Sequence, residues 1–132
     1  MYDHVKRLFD IPRHQQKAYP KKDAFTAKIN GKWEPTSIDT VLKEAMKVSK
    51  SLLKLGIGKG DKIGLISNNR PEWVAMDYGI LQVGAVDVPI YPTVSAEDYK
   101  FIFNDAKLKY CFVSDMELFN KVNSIKDQVP SL

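Results

Sequence analysis

The sequence offers few side chains whose types and spacing could support chemistry. Three glycines flank a lysine in residues 56–60 (GIGKG), and this pattern invites comparison with a phosphate-binding loop. Phosphate loops follow a strand and open a helix, whereas these glycines follow a predicted helix and precede a predicted strand. We therefore expect Gly56 to end the helix and Gly58 and Gly60 to form a turn. None of the seven glycines completes a GxGxxG dinucleotide pattern.

The other reactive side chains stand alone. Cys111 is the single cysteine, which excludes an internal disulfide, and its apolar surroundings predict a buried small residue. Asp87 is an acid inside an apolar strand, where a hydrogen-bonded structural role is favoured over catalysis. His4 and His14 lie far apart, with no Asp or Cys at ligand spacing. From residue chemistry alone, no catalytic residue and no metal site is predicted.

The elements that surround these residues are clearer. Residues 56–115 predict the order strand, helix, strand, helix, strand. Near-continuous apolar strands joined through helices favour a parallel sheet covered on both faces. The fold class is therefore α/β. The predicted strands run from Lys62 to Ser67, from Ala85 to Tyr91 and from Tyr110 to Val113, and the helices between them begin at Pro71 and after Ser95.

A β-hairpin and a long helix are predicted before this unit. The hairpin arms, from Ala24 to Ile29 and from Lys32 to Pro35, flank an Asn30-Gly31 turn, which is the strongest short hairpin signal. Thr36 is then expected to open an amphipathic helix, with Asp39 as its capping-box partner.

The two ends of the chain carry shorter predictions. From Tyr2 to Phe9 we expect a short helix that docks on the domain, with Pro12 as a helix breaker and a loop at His14. A last helix should begin after Ser114 or Asp115.

The composition of the chain excludes several classes of function. The chain has 132 residues, 44% of them hydrophobic, and a formal net charge of +4, as expected of one ordinary globular domain. Its lysines are spread along the chain, so we interpret them as a solvated surface and expect no nucleic-acid partner. With no secretory signal and no apolar run of about 18 residues, a cytoplasmic location is the default expectation.

Several short motifs occur in a recognisable order. They are Thr36-Ser37, Leu55-Gly56-Ile57, KGDKI at 59–63, SNNRPEW at 67–73, Gly84-Ala85-Val86 and VPIYPT at 88–93. This arrangement resembles the N-terminal segment of the acyl-adenylate-forming superfamily, which includes the AMP-forming acyl-CoA synthetases. The NNRPEW and YPT versions are most similar to long-chain fatty acid–CoA ligases, and the resemblance covers about residues 20–115.

The resemblance implies a two-step reaction. A carboxylate attacks the α-phosphate of Mg-ATP to give acyl-AMP and pyrophosphate, and coenzyme A (CoA) then displaces AMP. The family's phosphate loop, adenine motif, magnesium segment and catalytic lysine are absent here, because in the family they follow this segment. We therefore interpret residues 1–132 as one incomplete N-terminal α/β subdomain of a larger AMP-binding domain. Alone it should be inactive and bind neither ATP, Mg²⁺ nor CoA.

The resemblance also suggests a few ligand positions. In CoA-forming relatives, the turn after the second parallel strand lies beside CoA, and here that turn is Tyr91, Pro92 and Thr93. Basic residues of the last helix meet CoA phosphates in some relatives, and the nearest match here is Lys121. The chain departs from the pattern in that Phe119 or Val122 falls where a relative has arginine. Packing remains an alternative role for Tyr91 and Pro92.

Two other functional hypotheses stay open. A stand-alone, doubly wound binding module would hold its ligand beyond the strand ends, at Ser67-Asn68 and at Tyr91 to Thr93. An interaction module would instead dimerise through exposed edges of the sheet. Contact with the inner face of a membrane is a further expectation, as a peripheral rather than a spanning attachment.

Overall fold

The computed structural model of the chain describes residues 5–132. Within that range, helices and strands alternate after an initial helix and a hairpin. The helices are α1 (Ile11–Ala18), α2 (Ile38–Lys54), α3 (Pro71–Gln82), α4 (Ala96–Ala106) and α5 (Met116–Asn123), and short 3-10 helices cover Leu8–Asp10 and Lys126–Gln128. The strands are β1 (Phe25–Ile29), β2 (Lys32–Thr36), β3 (Lys62–Ile66), β4 (Val86–Ile90) and β5 (Tyr110–Val113).

The central sheet is parallel, with strand order β4-β3-β5. Gly64 of β3 lies opposite Val88 of β4 and Cys111 of β5. The predicted α/β class is confirmed, and so is the parallel pairing of all three strands. Because β3 is central, both of its edges are hydrogen-bonded, and the crossovers through α3 and α4 reach its two different neighbours.

Two apolar cores cover the two faces of this sheet. Successive side chains of a strand point to opposite faces, so β3 contributes Ile63 to one core and Ile66 to the other. The first core contains Leu52, Ile57, Ile63, Ile80 and Ala85. The second contains Ile66, Ile90, Tyr99, Phe103, Leu108, Leu118, Val122, Ile125 and Val129.

Helices α2 and α3 approach each other closely at Gly79. A Cβ placed on Gly79 would lie 2.4 Å from Val48 Cγ1 and 2.6 Å from Val48 Cβ. The hydroxyl oxygen of Ser49, which is buried, lies 3.0 Å from the Gly79 carbonyl oxygen and 2.9 Å from that of Ala45. Only a residue without a side chain fits this contact.

The hairpin is antiparallel, and the Asn30-Gly31 turn has φ angles of 50° and 81°. Positive φ at both central residues is what a tight hairpin turn requires. The helix after it begins at Ile38, with Ser37 rather than Thr36 as N-cap: the Ser37 hydroxyl accepts a hydrogen bond of 3.1 Å from the Thr40 amide.

The N-terminal prediction was wrong in part. Residues 1–4 lie outside the described range. Of the helix expected from Tyr2 to Phe9, residues 5–7 are not helical, and Leu8 and Phe9 belong to the short 3-10 helix Leu8–Asp10. Pro12 lies in the first turn of α1 and does not break it, because an early proline lacks only an amide that would be unbonded anyway. His14 therefore lies in a helix. No helix among the described residues is long and apolar enough to cross a membrane.

Candidate functional site

Three loops meet at the carboxyl ends of the parallel strands. Residues 67–70 follow β3, residues 91–94 follow β4, and Ser114 with Asp115 follows β5. In open α/β sheets, ligands bind in the crevice beyond these strand ends. This edge is therefore the first place to look for a binding site.

Two grooves lie at this edge, one on each side of Trp73. The first has a volume of about 260 Å³ and is bounded by Arg70, Phe112 and Ser114. The second has a volume of about 310 Å³ and is bounded by Asn69 and Tyr91. Trp73 and Ser67 line both grooves. The walls are mainly apolar with a few polar groups, a composition typical of small-molecule sites.

Arg70 places a positive charge at the first groove. Its Nε and Nη2 donate to the two carboxylate oxygens of Glu72, at 2.9 and 3.1 Å. The hydrogen bond from Arg70 lowers the pKa of Glu72, and the same bond raises the pKa of Arg70. Sequence reasoning assigned no role to Arg70, although its position directly after a buried strand was a usable signal.

The structure brings the four predicted coenzyme residues together. Lys121 Nζ donates to the carbonyl oxygens of Pro92, at 3.4 Å, and of Val94. The ammonium also lies 4.9 Å from the centre of the Tyr99 ring. The Tyr91–Thr93 turn and Lys121 are thus one unit.

Tyr99 supports the same turn from the buried side. Its hydroxyl lies 3.2 Å from the carbonyl oxygens of both Tyr91 and Pro92, and its ring is fully buried. The Tyr91 side chain is 79% exposed, so it is free to meet a ligand, whereas the Lys121 ammonium is already engaged by the turn. Geometry favours Lys121 as the residue that positions the turn. CoA binding by these four residues stays a prediction.

The glycines of residues 56–60 do not form a phosphate site. The Gly60 amide donates to the Gly84 carbonyl oxygen at 2.9 Å, and the Gly58 amide donates to the Asp61 carboxylate at 3.0 Å. These amides are therefore not available to cradle an anion, and Gly56 and Gly60 have positive φ as the C-cap and turn require. A phosphate of ATP does not fit here.

A magnesium site does not fit the described residues either. Within residues 5–132, no three His, Cys, Asp or Glu side chains converge as a metal would need. Cys111 is no nucleophile, because burial raises the pKa of its thiol to about 12. What the described residues at this edge of the sheet offer chemically is binding and orientation of a ligand.

Asp87 of β4 has a carboxyl group whose pKa is raised far above the usual value of an aspartate. Burial raises the pKa of its carboxyl to about 7, and the neighbouring Asp77 of α3 adds charge repulsion and a hydrogen bond between the two acids. Burial also raises the pKa of Asp77. Asp87 Oδ1 is buried without a hydrogen-bond partner among the described residues. The structure therefore shows no hydrogen-bond partner for this oxygen, and the structural role expected of Asp87 stays a prediction.

Comparison with known proteins shows which family the chain belongs to. The sequence profile described as AMP-binding enzyme matches residues 12–132. The chain belongs to this family. Long-chain-fatty-acid–CoA ligase FadD15 of Mycobacterium bovis is 32% identical over 104 residues, which cover 79% of this chain and 17% of that protein. Long-chain-fatty-acid–CoA ligase ACSBG2 of Homo sapiens is 30% identical over 102 residues, covering 77% and 15% respectively.

Solved structures of the family share the fold. The anthranilate CoA ligase AuaEII in complex with anthranoyl-AMP superposes with a TM-score of 0.78 at 26% identity, over 94% of this chain and 23% of that one. The N-terminal domain of FACL13 from Mycobacterium tuberculosis gives 0.77 at 21% identity, over 97% and 32%. The chain thus spans about a sixth of the length of the curated relatives it matches.

Proposed function

We propose that this chain is the N-terminal part of a long-chain fatty acid–CoA ligase. The observation that carries the proposal is the identity of 30% or more to long-chain ligases from unrelated organisms over most of the chain. The fold of adenylate-forming ligases supports it independently. The substrates are then a long-chain fatty acid, ATP and CoA.

The proposed reaction has two balanced steps. A carboxylate oxygen of the fatty acid attacks the α-phosphorus of ATP, and pyrophosphate leaves. The CoA thiolate then attacks the acyl carbon, and AMP leaves with the carboxylate oxygen. Mg²⁺ would neutralise charge on the phosphates in the first step. Since neither Mg²⁺ nor the ATP phosphates fit the described residues, we assign both to parts of a longer protein.

The role proposed for this chain is to build one wall of the coenzyme site. The turn of Tyr91, Pro92 and Thr93 lies at the carboxyl edge of the sheet, beside the second groove. Lys121 and Tyr99 hold its carbonyl oxygens from the inner side. A turn fixed in this way presents an exposed aromatic ring at little cost in conformational entropy.

An exchange assay tests the assignment. We expect the protein encoded by the complete reading frame to exchange labelled pyrophosphate into ATP when a long-chain fatty acid is present. The 132-residue chain should give no exchange under the same conditions. Exchange by the chain alone, or none by the longer protein with any fatty acid, would contradict the proposal. Tight ATP binding by the chain would favour a stand-alone binding module instead.

Replacement of Lys121 by methionine tests the wall of the coenzyme site in the longer protein. Because this variant loses the ammonium that holds the carbonyl oxygens of Pro92 and Val94, we expect the KM for CoA to rise by about tenfold, equivalent to roughly 1.4 kcal/mol. Pyrophosphate exchange, which needs no CoA, should change less than twofold.

The matched control is Lys43→Met, on the exposed side of α2. It should leave both measurements unchanged. An equal loss of exchange and CoA turnover in Lys121→Met would show a general structural defect and remove the coenzyme assignment.

Location remains part of the proposal. We expect the ligase to work in the cytoplasm, in peripheral contact with the inner face of a membrane, where long-chain acids partition. Cell fractionation that recovers the protein from an organelle lumen would contradict this.

A further inference from the structure

The net charge of the chain is confined to its N-terminal quarter. Residues 1–36 contain eight Lys or Arg and four Asp or Glu, whereas residues 37–132 contain twelve of each. Lysines are spread along the whole sequence, but acidic residues balance them only after Thr36. The segment of the first 36 residues therefore carries a net positive charge, which favours anionic partners, and the rest of the chain is neutral overall.

The hairpin within this segment has one face that no other part of the described chain, residues 5–132, covers. Cross-strand partners share a face, so Lys28 and Trp33 point to the same side, as do Thr26 and Pro35. All four are exposed, whereas Phe25 and Ala27 on the other face are half-buried against the domain. The outward face thus pairs a lysine directly with an indole ring.

Trp33 is the most prominent group on this face. Its side chain is 69% exposed. Ile29 and its cross-strand partner Lys32 belong to the opposite face, together with Phe25 and Ala27, but they lie at the tip of the hairpin, where Ile29 is 52% exposed. The tip therefore adds a second exposed apolar side chain with a lysine beside it. Among the ion pairs of the described residues, none includes Lys28 or Lys32.

We propose that the β1–β2 hairpin is a docking surface for an anionic lipid membrane. Tryptophan favours the boundary between lipid tails and water, because its ring is apolar and its N–H is polar. Lysine side chains beside it extend their ammonium groups to lipid phosphates while their methylene stems contact the apolar zone. Each lysine near an anionic leaflet adds electrostatic attraction.

Charge and composition together select this partner. A protein partner would match the apolar groups but not require the excess of eight basic over four acidic residues. A nucleic acid would match the charge, yet the hairpin carries lysines and no arginine, and only one aromatic ring is available for stacking. A membrane uses both the indole and the lysines. The inference does not depend on the ligase activity, because binding to vesicles needs no substrate.

Co-sedimentation with lipid vesicles tests the surface. The chain is mixed with vesicles of phosphatidylcholine alone or with a quarter of phosphatidylglycerol, at low and at moderate salt. We expect binding to the anionic vesicles, weakened severalfold as salt rises and screens the lysines, and little binding to the neutral ones. The Trp33→Ser variant and the Lys28→Gln/Lys32→Gln double variant should each lose at least fivefold in vesicle affinity.

Two controls separate the hairpin from general surface effects. Phe101→Ser removes a ring that is 72% exposed on α4, and Lys43→Gln/Lys50→Gln removes two exposed lysines of α2. Both should change vesicle affinity less than twofold. Ile29→Ser provides a second hairpin variant, so the result does not depend on how Trp33→Ser folds, and thermal melts confirm that every variant keeps its structure.

Three results would overturn the proposal. The first is absence of binding to anionic vesicles. The second is an equal loss in the hairpin and control variants. The third is hairpin-dependent binding to an RNA or DNA oligonucleotide with none to vesicles, which would reassign the surface to nucleic acid.

Discussion

Replacing Gly79 with alanine is expected to lower the free energy of unfolding by about 2–3 kcal/mol. The new Cβ would lie 2.4–2.6 Å from two carbons of Val48, and one of these is a Cβ that cannot move without its helix. It would also lie 3.1 Å from the Ala45 carbonyl oxygen. Alanine gains about 1 kcal/mol of helix propensity over glycine, which is too little to offset the separation of α2 from α3.

The measurement is chemical denaturation of the two chains under the same conditions. Gly58→Ala is the matched control, because its Cβ meets nothing within 4 Å and its φ is not positive. It should change the unfolding free energy by less than about 0.5 kcal/mol.

A second substitution, Val48→Gly, removes the side chain of α2 that the new Cβ at residue 79 would clash with. In a double-mutant cycle, Gly79→Ala and Val48→Gly should show a favourable coupling of about 1–2 kcal/mol. Additive effects would mean that the two helices do not meet through this contact.

Raising the pH from 5 to 8 is expected to destabilise the chain by about 1–2 kcal/mol. In the folded chain, the pKa of Asp87 is raised to about 7, mainly by burial and then by Asp77. The folded chain therefore keeps a proton that the unfolded chain releases above its ordinary pKa of 3.8, so stability falls through the window from pH 4 to 7. The expected loss is well below the full shift, because the carboxyl is partly exposed to water.

The Asp87→Asn variant should remove this slope. An asparagine keeps the shape and a donor toward Asp77 but cannot ionise, so the variant should be more stable than the parent at pH 8 and similar at pH 4.5. Thermal melts across that range measure both effects. Asp105→Asn, an exposed acid at the end of α4, should leave the slope unchanged.

Acids with a lowered pKa do not contribute to the change in stability between pH 5 and 8. Hydrogen bonds hold the pKa of several carboxyls below their usual value, and their contribution to stability is lost only on the acid side, below about pH 4. These carboxyls include Asp10, Asp61, Glu72, Asp98 and Asp115. A flat profile between pH 5 and 8 would show that Asp87 and Asp77 share no proton.

The sheet was predictable because its signals are local. Apolar runs at β3, β4 and β5, a proline at the first position of α3 and a Ser95–Asp98 capping box each mark an element without reference to distant residues. The structure confirms that box, with the Ser95 hydroxyl accepting from the Asp98 amide at 3.1 Å. The Asn30-Gly31 turn was equally clear for the same reason.

The failures concern choices between neighbours and contacts across space. Thr36 and Ser37 are both good N-caps, and the end of β2 at Thr36 decides between them. Pro12 can open a helix or end one, and only the position of Ile11 as first helical residue settles which.

The raised pKa of Asp87 depends on packing of α3 against β4, which no local pattern records. Lys121 was placed by resemblance, but its attachment to the turn carbonyls required coordinates. The sequence predicts most of the elements themselves, but it does not predict the distances between them.

Strand β3 is hydrogen-bonded along both edges and supplies Ile63 and Ile66 to the two separate cores. Neither core can open without disturbing a strand that the other core also holds. The backbone amides of β3 should therefore be the slowest in the chain to exchange with deuterium, at a rate set by global unfolding rather than by local fluctuation. The hairpin amides, held by a single pairing, should exchange long before them.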